Sequence, residues 1–341
     1  FNSVNAGDPG ALTTFYHFIP HYTLSRVKIK WSEDIHPCIF MRTMPTFTFL
    51  EASRWQDYEL LDSGDGLKLE RFGKYTFARP ESQAMWSRTL PQSEWDNAHG
   101  VFVPSGEESG GHWSLKKRVD EQWEMNYPLP TQSNLRFNVM TTPGRHLGVF
   151  PEVASHWDFM ADSIQKAGTK PNVLNLFGYT GLASLAAAAA GASVTHVDAS
   201  KKSVSWAREN QELSGLGDRS IRWIVEDALK YVQREAKRGV KYDGVILDPP
   251  KFGRGPKGEI WEVYKSLPSL LDDIRQCLSD HPLFVIVTVY AVRASAIHVA
   301  QAVDEMMKKY KGTLDSGELV TREKSANRLL SQAVYARWSS Q

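Results

Sequence analysis

The 341-residue chain is poor in cysteine and has no long hydrophobic run. Its two cysteines, Cys38 and Cys277, stand far apart, which rules out a disulfide framework or a cysteine zinc site and favours a reducing compartment. No metal is expected. The longest apolar stretch, LASLAAAAAGA at 182–192, contains a serine and a glycine. It is too short and too weakly apolar to cross a bilayer, so no membrane partner is expected. Charge of one sign is also lacking: 40 Lys and Arg against 39 Asp and Glu leave a formal net charge of +1. Any basic surface for a polyanion must therefore be local. Aromatic residues are plentiful, with 11 Trp, 12 Tyr and 15 Phe. Many of the tryptophans precede residue 160, as in small modules pinned by large side chains. The length allows two domains, or one catalytic domain with additions.

Three segments are expected. Residues 1–56 are broken by Pro9, Pro20, Pro37 and Pro45; YTLSRVKIKW at 22–31 could be a strand in this otherwise irregular extension. It either packs on the domain behind it or serves as a docking arm for a protein partner. Residues 57–134 form a small β-rich domain of short strands, with a hairpin signal at Ser63-Gly64-Asp65-Gly66 and a second turn at Gly73-Lys74. VPSGEESGGHW at 103–113 reads as a mobile loop. LRFNVM at 135–140 and HLGVF at 146–150 read as a hairpin, followed by a helix at 153–165. From residue 172 strand and helix alternate, the mark of a parallel sheet with crossover helices. Strands are expected at 172–177, 193–198, 221–226, 242–247 and 283–289. An antiparallel pair at 317–323 and 332–338 closes the 135–341 domain.

A series of motifs sits at the ends of these strands, where an open parallel sheet places its ligand site. NLFGYTG ends the first: Gly178 and Gly181 let the backbone turn sharply and approach a ligand, and the next helix offers free N–H groups. Asp198, 20 residues after Gly178, ends the second and can accept two ribose hydroxyls. Asp227 ends the third, where its carboxylate can accept from an exocyclic amine with Ala228 beside it, or simply start a helix. Asp248-Pro249-Pro250 ends the fourth. Two prolines fix the backbone and leave carbonyls without N–H donors, so with Asp248 they suit a flat amine or ring nitrogen. Phe252 can stack on a base or pack in the core. Lys251, Arg254 and Lys257, in or beside the loop GRGPKGE, can meet phosphate or belong to a solvated loop.

These motifs resemble those of class I S-adenosylmethionine-dependent methyltransferases. The chain is similar to bacterial large-subunit ribosomal RNA methyltransferases of the cytosine-5 type, in a shorter subgroup without the PUA module. The resemblance runs over residues 57–341 and is carried by YELLDSGDGLKLERFG (58–73), ARPESQAMW (78–86), GRHLGVFPE (144–152), HVDASKKSVSWARENQ (196–211), RWIVEDALKYVQRE (222–235) and LDPPKFGRGPKGEIW (247–261). It implies an α/β, Rossmann-like class I methyltransferase sheet, parallel with a terminal antiparallel strand, behind the small β-rich domain. It implies S-adenosylmethionine as cofactor, held by Phe150, Asn175, Phe177, Gly178, Gly181, Asp198, Ala199, Asp227, Ala228 and Asp248. The reaction falls to Asp248, Pro249, Pro250 and Phe252, and substrate contacts to Lys251, Arg254, Lys257, Tyr290 and Arg293.

The pattern departs from this family at one point. Its cytosine-5 members carry a cysteine just after the fifth strand, whose thiolate attacks the ring. Here VTVYAVRAS at 287–295 has Thr288, Tyr290 and Arg293 but no cysteine. The expected activity is therefore methylation of ribosomal RNA, or of a large-subunit particle, at a base nitrogen. The alternatives are a catalytically silent factor bound to an assembly intermediate and a methyltransferase for a small molecule or protein. The first residue is Phe rather than Met, which fits an upstream segment removed or left out. Mitochondria are the expected compartment, otherwise the cytoplasm.

Overall fold

Apolar runs rich in Val, Leu and Ile build the centre of the molecule. In the computed structural model, which describes residues 46–105, 110–290 and 294–340, they form an eight-stranded sheet. Most of the expected arm, including 22–31, and Arg293 lie outside the described residues. Five strands are parallel: β9 (Asn172–Leu176), β10 (Ser193–Asp198), β11 (Ile221–Val225), β12 (Gly244–Leu247) and β15 (Phe284–Val289). Beyond β15 lie β17 (Leu329–Ser340), antiparallel, then β16 (Gly312–Arg322) and β1 (Thr46–Glu51). Within the parallel part the chain runs from β9 to β10 and β11, then crosses back to β12 on the other side of β9. That reversal makes the switch point at which such sheets bind ligands.

The central strands are buried on both faces, which is why they read as continuous apolar runs rather than alternating ones. Val173, Ile246 and Phe284 face one layer, made of α2 (Ala154–Ala167) and α3 (Leu182–Ala189). Leu174, Val245 and Val287 face the other, made of α5 (Ala228–Arg238), α6 (Val263–Cys277) and α7 (Ala296–Met307). Between β10 and β11 runs α4 (Lys201–Leu213), capped at its start by Ser200 Oγ, which accepts from the Ser203 N–H at 3.1 Å.

The β-rich part is a five-stranded sheet of β2 (Tyr58–Gly64), β3 (Leu67–Phe72), β4 (Tyr75–Pro80), β5 (Gly100–Pro104) and β6 (Gly111–Leu115), with α1 (Gln92–Asp96) between β4 and β5. A separate hairpin joins β7 (Trp123–Pro128) to β8 (Asn134–Val139). Only part of the β-rich core is its own, a cluster of Leu69, Ala78, Trp95 and Ala98. Phe72, Phe77 and Trp123 belong to the same buried cluster as Trp157, Val173 and Phe284 of the large sheet. A second tie is ionic. The turn after β16 lies beside β2, where Lys324 N–H donates to Leu60 O at 2.9 Å and the buried carboxyls of Asp62 and Glu323 both meet Arg328.

Three expectations from sequence are corrected. Residues 46–51 are not irregular: they pair with β16 from Thr46↔Asp315 to Glu51↔Val320 and form an edge of the large sheet. The two ends of VPSGEESGGHW, 103–104 and 111–113, are paired in β5 and β6, and 106–109 lie outside the described residues. LRFNVM pairs with β7, not with HLGVF. Residues 141–150 instead form a loop whose Leu147 and Val149 are buried, and which turns at Gly148 with φ +98°. A Cβ at Gly148 would lie 2.5 Å from the Trp206 ring.

Candidate functional site at the strand ends

At the carboxyl ends of β9, β10, β11 and β12 the sheet opens into a cavity of about 730 Å³. That is ample for a nucleoside-sized cofactor and part of a second reactant. The loop after β9 forms one wall. Phe177 and Tyr179 adopt left-handed backbone, with φ 57° and 49°, a costly state for residues with a Cβ. Asp198 holds it. One carboxylate oxygen accepts from Tyr179 N–H at 2.9 Å and the other from Ser200 N–H at 2.8 Å. Burial pushes this carboxyl up, and the two N–H groups oppose the shift.

The glycines of this loop serve packing more than ligand approach. A Cβ on Gly178 would fall 2.3 Å from His196 Cε1 and 3.0 Å from Asn175 Nδ2, inside the protein. His196 is fully buried, its Nδ1 lies 3.0 Å from Ser184 Oγ, and burial holds its pKa down at about 3. Asn175 donates to the same Ser184 hydroxyl at 2.9 Å. Gly181 has φ +85° and starts α3 without a side-chain cap. The first residues of that helix, Leu182 and Ala183, line the cavity, so its uncapped N-terminus lies beside it.

Most of the expected cofactor residues converge. Phe150, Asn175, Phe177, Gly178, Asp198 and Ala199 line the cavity, as do Asp227, Ala228 and Asp248. Gly181 does not; it is buried against Ala207. Asp227 has a second task as N-cap of α5, accepting from Lys230 N–H at 3.0 Å. Pro249, Pro250, Lys251, Phe252, Arg254 and Tyr290 also line the cavity. Lys257 does not: it sits in the exposed turn between β13 (Phe252–Arg254) and β14 (Ile260–Glu262). Phe252 is 58% exposed, so it is not a core residue.

Asp248 Oδ1 is shielded from solvent and has no hydrogen-bond partner. Burial pushes its carboxyl well up, and the charge of Glu152 adds to the shift. Glu152 is itself buried and raised by that burial. The Pro250 carbonyl already accepts from Trp261 Nε1 at 2.7 Å, which leaves it one lone pair for a ligand. Trp261 also packs on Phe177 with ring centroids 4.7 Å apart, and both rings line the cavity.

Sequence reasoning missed several lining residues. Tyr179 stood inside NLFGYTG, and Arg145 and His146 inside GRHLGVFPE, but nothing in their spacing marks them. In the structure Phe150 meets His146 at 4.7 Å, Tyr290 at 5.2 Å and Tyr179 at 5.8 Å, forming an aromatic wall. Burial, aided by the charges of Arg79 and Arg145, holds His146 at about 3, so it is neutral. Among the described residues no group of His, Cys, Asp and Glu is placed to hold a metal ion.

The donor set fits S-adenosylmethionine. Carboxylates stand at the ends of adjacent strands, open helix N–H groups can face a carboxylate, and the shielded Asp248 oxygen lacks a partner. The model of the family described as S-adenosylmethionine-dependent methyltransferase matches residues 109–300. A crystal structure of an S-adenosylmethionine-dependent methyltransferase from Agrobacterium tumefaciens is 44% identical; it covers 87% of this chain and 96% of its own, with a TM-score of 0.81. One from Streptococcus mutans, at 18% identity and a TM-score of 0.63 over 84% of this chain and 76% of its own, shares the fold. Among curated proteins, ribosomal RNA large subunit methyltransferase K/L of Shewanella sp. is 37% identical over 56% of this chain. The protein of that name from Magnetococcus marinus is 31% identical over 44%. The chain matches only 26% and 20% of the lengths of these two relatives. On the family match and the Agrobacterium structure, the chain belongs to the S-adenosylmethionine-dependent methyltransferases, and S-adenosylmethionine is its cofactor.

Proposed function

We propose that this methyltransferase modifies ribosomal RNA at a base nitrogen. When bound, S-adenosylmethionine supplies an electrophilic methyl group, so the protein's task is mainly to position the acceptor. In this reading Asp198 receives the ribose hydroxyls, Asp227 and Ala228 flank the adenine, and the first turn of α3 faces the methionine carboxylate. Asp248 and the Pro249 carbonyl hold the flat acceptor. Phe252 offers its exposed ring for stacking, with Lys251 Nζ 5.3 Å from the ring centroid. Arg254, on the same hairpin, meets phosphate, and the β-rich part at 57–134 faces the RNA. The names of the curated relatives support ribosomal RNA as the substrate class.

The observation that carries nitrogen over carbon concerns the thiol. Cys277, the one cysteine among the described residues, does not line the cavity. It is buried in α6, its Sγ 3.7 Å from Val232 O, and burial pushes it up to about 11. It cannot supply the thiolate that ring-carbon methylation needs.

The test is transfer of tritiated methyl from S-adenosylmethionine to ribosomal RNA and to precursor large-subunit particles, followed by nucleoside analysis. An N-methylated nucleoside is expected. A C5-methylated pyrimidine, or no transfer to any RNA by cofactor-loaded protein, would overturn the proposal.

A further inference from the structure

The loop at 140–150 carries Arg145 to the rim of the cavity, and it is anchored from both sides. From the β-rich sheet, Arg79 Nη1 donates to the Arg145 carbonyl at 3.0 Å. Trp113 Nε1 donates to the carbonyls of Thr142 at 2.9 Å and Gly144 at 3.1 Å. From the cofactor side, Thr180 Oγ1 donates to Gly148 O at 2.7 Å. Within the loop, Thr142 Oγ1 donates to His146 O at 2.7 Å.

Arg79 is itself fixed. It is 5% exposed, and its Nε and Nη2 form a fork on Glu70 at 2.7 and 2.8 Å. Tyr58 donates its hydroxyl to the same carboxylate at 2.9 Å. A buried guanidinium bound in this way cannot serve a substrate directly, because its donors face Glu70 and a backbone carbonyl. What it does is set where the Arg145 backbone lies.

Arg145 is the opposite case. Its side chain is exposed and lines the cavity, and among the described residues no carboxylate or carbonyl engages its guanidinium. Its neighbour His146 is neutral, so Arg145 is the charged side chain that this loop brings to the cavity. Arg254 stands on a separate element, the β13–β14 hairpin, and also lines the cavity. Cations on two elements around one mouth suit a strand whose phosphates flank an inserted base.

We propose that Arg145 contacts a phosphate next to the target nucleotide, and that Arg79 is a positioning residue that holds Arg145 at the rim. The inference rests on RNA as the substrate, and it gives the β-rich sheet a defined part in substrate binding.

The experiment compares wild type with Arg145→Ala, Arg145→Lys, Arg79→Lys and Trp113→Phe. Calorimetry gives the Kd for S-adenosylmethionine, and steady-state methyl transfer to deproteinised large-subunit ribosomal RNA gives KM and kcat. RNA binding is followed from 50 to 200 mM salt. Arg145→Ala is expected to raise KM for RNA about 10-fold and to lower the slope of log K against log salt by about 1, with cofactor Kd intact. Arg145→Lys should recover most of the salt slope, since a phosphate contact needs charge more than fork geometry. Arg79→Lys keeps the charge but loses the fork, and should raise KM several-fold with kcat and cofactor Kd unchanged. Trp113→Phe loosens the same loop without touching the ion pair and should act likewise, which keeps the test open if Arg79→Lys fails to fold. Wild-type KM and salt slope in Arg145→Ala would overturn the phosphate contact. A fall in cofactor affinity with RNA binding unchanged would reassign Arg145 to the cofactor. Equal losses in kcat, KM and cofactor Kd in both loop variants would make Arg79 a plain structural residue. If wild type itself transfers no methyl to RNA, the proposed function has failed, and this assignment with it.

Discussion

Substituting Gly178 by alanine tests why the cofactor loop contains a glycine. The new Cβ would meet His196 Cε1 at 2.3 Å and Nδ1 at 2.5 Å, more than 1 Å inside ordinary contact. His196 cannot retreat: it is fully buried, tied to Ser184 at 3.0 Å and packed on Trp223 with ring centroids 4.6 Å apart. Overpacking of this kind costs about 1–3 kcal/mol. His196→Ala removes the obstacle and, as a large-to-small change in a buried site, costs about 2–4 kcal/mol on its own. In the double variant the alanine methyl enters space that the imidazole has left. The two effects should therefore be coupled by at least about 1 kcal/mol in the favourable direction. Urea unfolding of the four proteins measures this through their midpoints. Calorimetry with S-adenosylmethionine should show the double variant binding within about 5-fold (~1 kcal/mol) of His196→Ala, because the methyl points away from the cavity. Free energies that add within about 0.5 kcal/mol would refute the packing explanation. Loss of cofactor binding confined to the two variants that carry Gly178→Ala would restore the glycine's role in ligand approach.

Three further perturbations follow from the structure. Asp248 has a carboxyl raised by burial, so the native state holds its proton to higher pH than the unfolded chain; its ionisation costs stability as pH rises above the ordinary carboxylate range. Asp248→Asn should raise Tm by about 2 °C (~1 kcal/mol) at pH 8 and give no gain near pH 3.5 in thermal melts, while methyl transfer falls. Arg328→Ala leaves the buried carboxylates of Asp62 and Glu323 without their cation, and should lower stability by about 3 kcal/mol in urea titrations. Phe252→Ala removes an exposed ring and should weaken RNA binding about 10-fold in filter-binding assays, with cofactor Kd unchanged.

The sheet was legible because its central strands are buried on both faces, and such strands appear in sequence as short unbroken apolar runs. The strand-end acids Asp198, Asp227 and Asp248 followed from their positions after those runs, and all three line the cavity. Strand β1 was not legible, since Thr46–Glu51 has exposed Phe47 and Phe49 and takes its order from pairing with β16, far along the chain. The partner of β8 was misread for a related reason: Thr-Thr-Pro-Gly at 141–144 looks like a hairpin turn, but burial of Leu147 and Val149 and the turn at Gly148 draw the following residues into a loop. Pro250 shows the same limit at the site. That its carbonyl lacks a nearby N–H donor is evident from two prolines, whereas its capture by Trp261 is a tertiary event. Arg145 and His146 escaped because they line the cavity from an irregular loop, where no period ranks one residue above its neighbours.

The cavity at the ends of β9, β10 and β11 is expected to bind S-adenosylmethionine, with Asp198 receiving its ribose. Calorimetric titration of the intact chain and of Asp198→Ala with S-adenosylmethionine measures this. The wild-type chain should bind one molecule, and the variant at least about 10-fold more weakly, since it loses a charged acceptor for ribose and the clamp on Tyr179 (hydrogen bonds to charged groups are worth about 1.5–3 kcal/mol each). No binding by the wild-type chain, or equal binding by the folded variant, would contradict the account.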